Sequence, residues 1–500
     1  MNSIWEDFRE NIDLKKLDKN LKADVCIIGA GITGLNLAYL LIKNGYNVIL
    51  LDKENICNNV TSKCTGKITS QHGLIYTKLI KEQGIKFAKQ YFYMQEKAIK
   101  LYEYIIKKEK IKCDFKKVSA FLFTNKEKYK YKLQEEFKSY IKINGNVKFK
   151  RNIKLPFKCK YALELINQGE FNPVKYMNSL VKIILKNKGR IFIKSKVIKI
   201  RKGIFNYSVY TKENVIKSKY VVIATNYPTI KKLDGNYFAK LYKNISYASA
   251  IEIEKDDLKN GIYIDIEKEG YSYRVAKDFN NNLNLIVIGN EHKTGKETDK
   301  NYYNKIKEHI NKMYPNKEIK YKWCTEDSVS IDKLPYIGNI SFLNKRVCIS
   351  SGYSNWGITN SMIAAKKIEK YIVNNNLIEK ELKSTRFNYL KNKKETISML
   401  KDFVNYRILE KISIRKAVLK EIAKEEAIII KRKGKIIVIY KDKEENLHAV
   451  VPICTHLKCL LNFNNTEKTW DCPCHGSRYD FDGKIIYGPG QKNLKKIIIE

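Results

Sequence analysis

From Asp24 the chain runs through Val25-Cys26-Ile27-Ile28, apolar and largely β-branched, then changes at Gly29 to a helical spacing of apolar residues through Leu35, Leu37, Ala38 and Leu41. The first run predicts a buried strand and the second a helix packed against it. A second run, Asn47-Val48-Ile49-Leu50-Leu51, predicts another strand, ending at Asp52. Tyr220-Val221-Val222-Ile223-Ala224-Thr225 repeats the strand pattern, and Ile262-Tyr263-Ile264 and Leu285 to Ile288 are shorter versions of it. Between 85 and 155 apolar positions are interleaved with Lys and Glu, which predicts helix. A further helix is expected through Ser361, Ala364 and Ala365, and 380–418 reads as a basic helical connector. From Glu421 the texture changes to short strands at 427–430, 435–440 and 448–452, with turns at Gly434 and Asp482-Gly483. An α/β body followed by a small all-β domain is the expected order.

A chain of 500 residues predicts two or three domains with ample core. No internal repeat and no long Gly/Ser/Pro linker is evident. Met1 to Asn20 is polar, unlike a secretory leader, and no apolar run reaches membrane-spanning length, so the expected location is the cytoplasm. Lys and Arg number 96 against 53 Asp and Glu, a net charge of +43. That excess is spread along the whole chain and no nucleic-acid module accompanies it, so it reads as solvated surface rather than a specific RNA or DNA site. Loose attraction to an anionic membrane surface stays open.

The strand–helix–strand unit carries Gly29-Ala30-Gly31-Ile32-Thr33-Gly34 at its first turn and Asp52 at the end of its second strand. This is the dinucleotide fingerprint. The first glycine permits the turn, the second lets backbone approach a pyrophosphate, and the third lets helix and strand pack closely. The helix N-terminus offers N–H groups to phosphate, and Asp52 would accept from ribose hydroxyls. The position near the N-terminus of a long chain favours FAD over NAD.

The tail holds Cys454-Thr455-His456 and, further on, Cys472-Pro473-Cys474-His475. Each box offers one thiolate and one imidazole on a short loop. That is the ligand set of a Rieske [2Fe–2S] cluster, in which two thiolates hold one iron and two imidazoles the other. Cys454, His456, Cys472 and His475 are the expected ligands. A zinc ribbon would need different cysteine spacing and leave both imidazoles idle, and a c-type haem needs one more residue in Cys-x-x-Cys-His.

The match to the Rieske family is close. The tail resembles the form of that family in which the two remaining cysteines of the boxes, here Cys459 and Cys474, form a disulfide between the cluster loops. The resemblance also implies that Ser477 and Tyr479 donate hydroxyl hydrogen bonds to cluster sulfur and a ligand thiolate, which raises the potential. Gly488-Pro489-Gly490 resembles the family's proline-containing cover loop, without its usual second proline.

The body resembles the D-amino acid oxidase-like (glycine oxidase-like) flavoproteins. The resemblance rests on Ala224-Thr225 at a strand end, with Asn226 replacing the usual glycine, on Asp332-x-x-Pro335-x-Ile337-Gly338, and on Gly352-Tyr353-Ser354-Asn355-Trp356-Gly357-Ile358-Thr359. It implies that the last segment opens a helix facing the isoalloxazine, and that Thr61-Ser62-Lys63-Cys64-Thr65-Gly66-Lys67 folds over the FAD pyrophosphate. Weaker echoes lie at 169–173 and 289–295. Taken whole, the chain is similar to bacterial fusions of such a flavoprotein with a C-terminal Rieske domain. The implied fold is an α/β FAD-binding Rossmann-like domain with an α+β substrate domain, then an all-β Rieske domain. FAD-binding pieces are expected at about 1–80, 160–235 and 320–375, and substrate-domain pieces at about 85–155 and 236–320. These make up an oxidoreductase domain at 1–380, followed by a connector at 381–418 and the cluster domain at 419–500.

The implied activity is an FAD-dependent oxidation of an amine or amino-acid-like small molecule, with an external electron acceptor or donor. Such chemistry needs hydride transfer to the flavin and a carboxylate anchor, often Arg. Arg274 is the candidate anchor and His292 the candidate catalytic histidine; His72 lies in a segment similar to the family's. A Rieske oxygenase would need a further iron site, yet His72, His292, His309 and His448 form no close pair. A quinol-oxidising subunit would want a membrane anchor. A non-enzymatic electron-transfer or redox-sensing scaffold remains the alternative.

Overall fold

The computed structural model describes residues 2–58, 60–228, 237–255, 257–258, 261–296, 298–386, 392–409, 422–432 and 434–498. Strand Leu21–Ile28 sits centrally in an eight-stranded sheet, parallel to Val48–Leu51 on one side and to Val215–Asn226 on the other. Val48–Leu51 is buried at every position, as a parallel strand covered on both faces must be. Val347–Ser351 extends the sheet in parallel beyond Val215–Asn226. Helices Ile32–Lys43, Pro173–Lys186 and Gly357–Asn374 pack together over this sheet, and Ile85–Lys108 packs on the last of them.

The second large sheet has nine strands and is built mainly from Lys116–Thr124, Tyr161–Glu170, Leu241–Glu252, Ile262–Asp265, Ser272–Lys277, Leu283–Lys293 and Ile319–Ser330. Here the structure departs from the helical expectation for 85–155. Helices Ile85–Lys108 and Glu127–Lys142 are present, but Lys116–Thr124 and Val147–Arg151 are strands. Val118 and the run 120–124 are buried by pairing with Tyr161–Glu170, a long-range contact that overrides the local pattern.

The tail forms two small antiparallel sheets, Ala427–Arg432 with Lys435–Lys441 and Leu447–Val450, and Asn462–Asn464 with Thr469–Asp471, Arg478–Asp480 and Ile485–Tyr487. The described part of the connector is helical, Lys393–Val404 continuing into a π turn at Asn405–Leu409; 387–391 and the stretch around the expected 418/419 boundary lie outside the described residues.

The strand-rich tail is pressed onto the α/β body through buried charge. Arg478 bonds Asp471 of its own domain at 3.0 Å and reaches Glu326 at 3.1 Å and the Cys324 sulfur at 3.2 Å across the boundary. Tyr303 donates to Glu467 at 2.6 Å, and Asn464 to the Tyr247 hydroxyl at 3.1 Å. Buried ion pairs add little net stability because desolvation offsets attraction, yet separating one partner costs about 3–5 kcal/mol. The network therefore fixes how the two domains sit. Asp402 of the connector adds ion pairs to Lys293 and Lys296.

Candidate flavin and iron–sulfur sites

The turn after Leu21–Ile28 is built as the fingerprint requires. Gly29 has φ +104°, and a side chain there would meet the Ala224 carbonyl at 2.7 Å; a side chain on Gly34 would collide with the carbonyl of Gly29. Gly31 differs. A Cβ added to it meets only the Thr61 hydroxyl, at 3.8 Å, so the space in front of this helix N-terminus is open. Asp52 accepts from the Ala30 N–H at 2.8 Å and the Glu54 N–H at 2.9 Å, which holds its carboxylate at the strand end. Open space at an N-terminus beside a fixed carboxylate fits a dinucleotide's pyrophosphate and ribose.

A cavity of about 440 Å³ runs from this turn along the strand ends. Its wall includes Gly29, Gly31, Asp52, Thr61, Ala224, Thr225, Gly357, Ile358 and Thr359 of the expected FAD residues. The remaining three lie behind the wall. Gly34 packs the helix, Ser62 is buried with its carbonyl accepting from Ser3, and Gly352 makes a left-handed turn against Leu241 and Ser330. Helix Gly357–Asn374 begins at the cavity, so its positive end faces whatever ring system lies there.

The wall also carries Lys67, the end of the loop expected over the pyrophosphate, and Glu291 of the weaker echo at 289–295, together with Asp265, Tyr271, Ser272 and Asp327. Burial pushes Lys67 down to about 7, Asp265 up to about 7 and Asp327 up to about 6. Groups held near neutrality on a cavity wall can take up or release a proton at physiological pH. Lys67 donates to the Ser272 hydroxyl. It ends the loop expected over the FAD pyrophosphate and opens the short strand Lys67–Ile68, and the sequence carried no sign of its burial.

Arg274 is placed differently from the anchor expected of it. Its Nη1 donates to the carbonyls of Thr65 and Gly66 at 2.8 Å and of Phe171 at 3.1 Å, and Nε lies 3.5 Å from Glu170. It is outside the cavity wall and instead fastens the loop that precedes Lys67. The physical reason is register: residue 274 pairs with Ile286 deep in the sheet, where its guanidinium meets backbone carbonyls, the Glu170 carboxylate and the Trp5 ring. His292 is also outside the wall, with Nδ1 3.0 Å from the Asn290 carbonyl and its ring stacked on Tyr302.

His72 is buried behind Trp356, stacked at 4.6 Å. Its Nε2–H donates to the Thr69 carbonyl at 2.8 Å, and burial pulls it down to about 3. The ring is thus neutral in the fold but free to protonate when unfolded. Between pH 6.5 and about 3 the unfolded chain binds the extra proton, so this histidine's contribution is full above pH 6.5 and falls as pH is lowered through that window, by up to roughly 5 kcal/mol. Denaturant titrations at stepped pH are expected to show a shallower acid loss in His72→Gln than in the parent; equal slopes would disprove the assignment.

In the cluster domain the first box lies on the loop before Asn462–Asn464, and the second forms the turn between Thr469–Asp471 and Arg478–Asp480. The imidazoles of His456 and His475 lie edge to face, with centroids 5.0 Å apart and planes at 87°. The Cys454 and Cys472 thiols share a hydrogen bond that pulls Cys454 down to about 6 and pushes Cys472 up, so one sulfur of the pair already favours the thiolate a metal needs. Tyr479 Oη lies 3.7 Å from the Cys454 sulfur, and Ser477 also hydrogen-bonds Cys454. Cys459 and Cys474 are joined as a disulfide. Their sulfurs sit within 4.8 Å of Cys472, but bonded to each other they offer no thiolate. A thiol pair, Cys454 with Cys472, and an imidazole pair, His456 with His475, on two loops joined by a disulfide fit the two irons of a [2Fe–2S] cluster. Gly488 lies flush on the second box, where a Cβ would meet Ser477 Cα at 2.6 Å, and the Gly490 N–H donates to Ser477 Oγ at 3.0 Å.

Residues 24–370 match the family described as FAD dependent oxidoreductase. The chain belongs to that family. Residues 415–497 match the Rieske [2Fe-2S] domain, so the cofactors of this FAD dependent oxidoreductase are FAD and a Rieske cluster. Over its whole length the chain is 29% identical to YhfW of Bacillus subtilis, by name a Rieske 2Fe-2S iron-sulfur protein, and covers 98% of it. Glycine oxidase from Geobacillus kaustophilus shares the fold at 14% identity and TM-score 0.59, over 74% of this chain and 98% of that one. L-amino acid deaminase from Proteus vulgaris does so at 14% and 0.61, over 75% and 100%. Among the described residues no helix is long and apolar enough to cross a membrane.

Proposed function

We propose that the protein oxidises an amine or amino-acid-like small molecule at FAD and passes the electrons singly to its own Rieske cluster, ligated by Cys454, His456, Cys472 and His475, for delivery to an external acceptor. The observation that carries this reading is the composition of the cavity wall. The cavity lined by the FAD motifs is closed on one side by Ile485, Tyr487, Gly488, Gly490 and Gln491 of the cluster domain. A flavin in that cavity and a cluster behind that wall are neighbours, and fusion keeps the acceptor at high effective concentration. Proton-active groups on the wall support a substrate beside the flavin, and the fold shared with glycine oxidase and L-amino acid deaminase supports an amine or amino acid over other classes. The same groups weigh against a closed relay without a substrate of its own.

The test is anaerobic mixing of the oxidised protein with amines, amino acids and NAD(P)H in turn. An amine or amino acid should bleach the flavin before the cluster signal changes. In Cys454→Ser, flavin bleaching should persist while delivery to an external acceptor stops. Reduction by NAD(P)H alone would remove the amine oxidation, and full turnover without the cluster would remove the relay.

A further inference from the structure

Strand Val215–Asn226 ends at the flavin cavity, and its last residue turns left-handed, with φ +62° at Asn226. Ala224, Thr225, Asn226 and Tyr227 all line the cavity wall. Two contacts leave this turn for the cluster domain. The Asn226 amide donates to the Tyr487 hydroxyl at 2.6 Å, and the Tyr227 ring stands edge-on to the imidazole of His456, centroids 6.4 Å apart at 85°. Tyr487 is held from its other side by Lys243, fully buried, whose ammonium donates to the same hydroxyl at 3.0 Å. Asparagine at 226 is thereby explained. Like the glycine usual at this position it tolerates positive φ, but it also supplies a side chain that reaches the cluster domain.

We propose that the Asn226-Tyr227 turn is the electron junction between the two cofactors: Tyr227 couples the flavin cavity to the imidazole-ligated iron through His456, and Asn226 with Lys243 clamps Tyr487 so that this gap stays closed. The inference rests on the relay reading above. With both cofactors bound, the reduced flavin would supply two electrons and the cluster, held by Cys454, His456, Cys472 and His475, would accept them one at a time, each being passed to a one-electron acceptor outside the protein; the protons released when the flavin is oxidised would go to solvent. Tyr227 and Asn226 are positioning residues; neither is consumed.

The test uses the full-length protein with both cofactors bound and no substrate. The flavin is reduced by light with EDTA as donor, and cluster absorbance is followed in time. In Tyr227→Leu the cluster should reduce at least about tenfold more slowly, whereas Tyr227→Phe, which keeps the ring, should match the parent. Asn226→Gly keeps the backbone angle and Tyr487→Phe keeps the ring; each should slow the transfer, and the double variant should be no slower than Tyr487→Phe alone, because that change already removes the Asn226 hydrogen bond together with the one from Lys243. Cluster g-values and midpoint potential should not move in any of them, which a general loosening of the cluster domain would not allow. Tyr227→Leu or Asn226→Gly reducing the cluster at the parental rate would overturn the junction and leave the relay standing. A parent protein whose photoreduced flavin never reduces its cluster would overturn the relay itself.

Discussion

Gly31→Val protein is expected to purify folded but without flavin. The two other glycines of the fingerprint are held by the fold, since a side chain on Gly29 or Gly34 would run into backbone carbonyls. Gly31 has ordinary extended angles, φ −75° and ψ −178°, which a β-branched residue adopts readily. Its Cβ meets only the Thr61 hydroxyl at 3.8 Å. The apoprotein should therefore tolerate valine with a change in unfolding free energy within about 1 kcal/mol. The cofactor should not tolerate it, because the added methyls occupy the space open for the pyrophosphate. FAD binding is expected to weaken at least about 100-fold, equivalent to about 2.8 kcal/mol. Flavin fluorescence titration of the apoprotein and a denaturant melt give the two numbers. A variant that binds FAD like the parent would show that phosphate lies elsewhere, and a variant that fails to fold would show that Gly31 serves the turn rather than the ligand.

Replacing His475 by Ala should remove the cluster outright. A Rieske site holds one iron by two imidazoles, and His475 is buried, 4% exposed, so water has little access to replace it as a ligand. Iron per chain should fall from two toward zero, and the electron resonance signal of mixed thiolate and imidazole ligation, with its low average g-value, should vanish. The consequence for FAD follows from the shared wall. Every glycine and acid of the fingerprint belongs to the oxidoreductase, so the nucleotide should stay bound. Metal binding contributes to folding free energy, so the 485–491 segment should loosen and the cavity open on that side. Flavin retained with greater solvent quenching is the expected signature. A variant with intact iron and an unchanged spectrum would remove His475 from the ligand set.

Both cofactor sites were legible because their chemistry is carried by neighbours in sequence. Three glycines within six residues and an acid at the next strand end define a phosphate turn whatever surrounds them, and two Cys/His boxes define a cluster in the same way. The chain's apolar strands and helices, read one element at a time, also sufficed for an α/β body with a strand-rich tail. Reading failed where burial is set from afar. Lys116–Thr124 is a strand because Tyr161–Glu170 pairs with it, and the local mixture of Lys and apolar residues carries no sign of that partner.

The same limit separates the ligands from the residues around them. Arg274 belongs to a Tyr-Ser-Tyr-Arg run that suits a substrate anchor, but strand register turns its guanidinium onto the carbonyls of Thr65, Gly66 and Phe171. Lys67 was expected only as the end of a loop over the pyrophosphate, and the burial that brings it to about 7 left no local sign. Asn226 stood out in sequence only as a missing glycine, and its partner Tyr487 lies 261 residues away. What the sequence determined by itself is the presence of two redox centres, since each needs only a short segment of fixed local geometry. What the tertiary structure alone decided is that they share a wall, because the placement of one domain on the other depends on buried charges, Arg478 against Glu326 foremost, whose meeting no local pattern encodes.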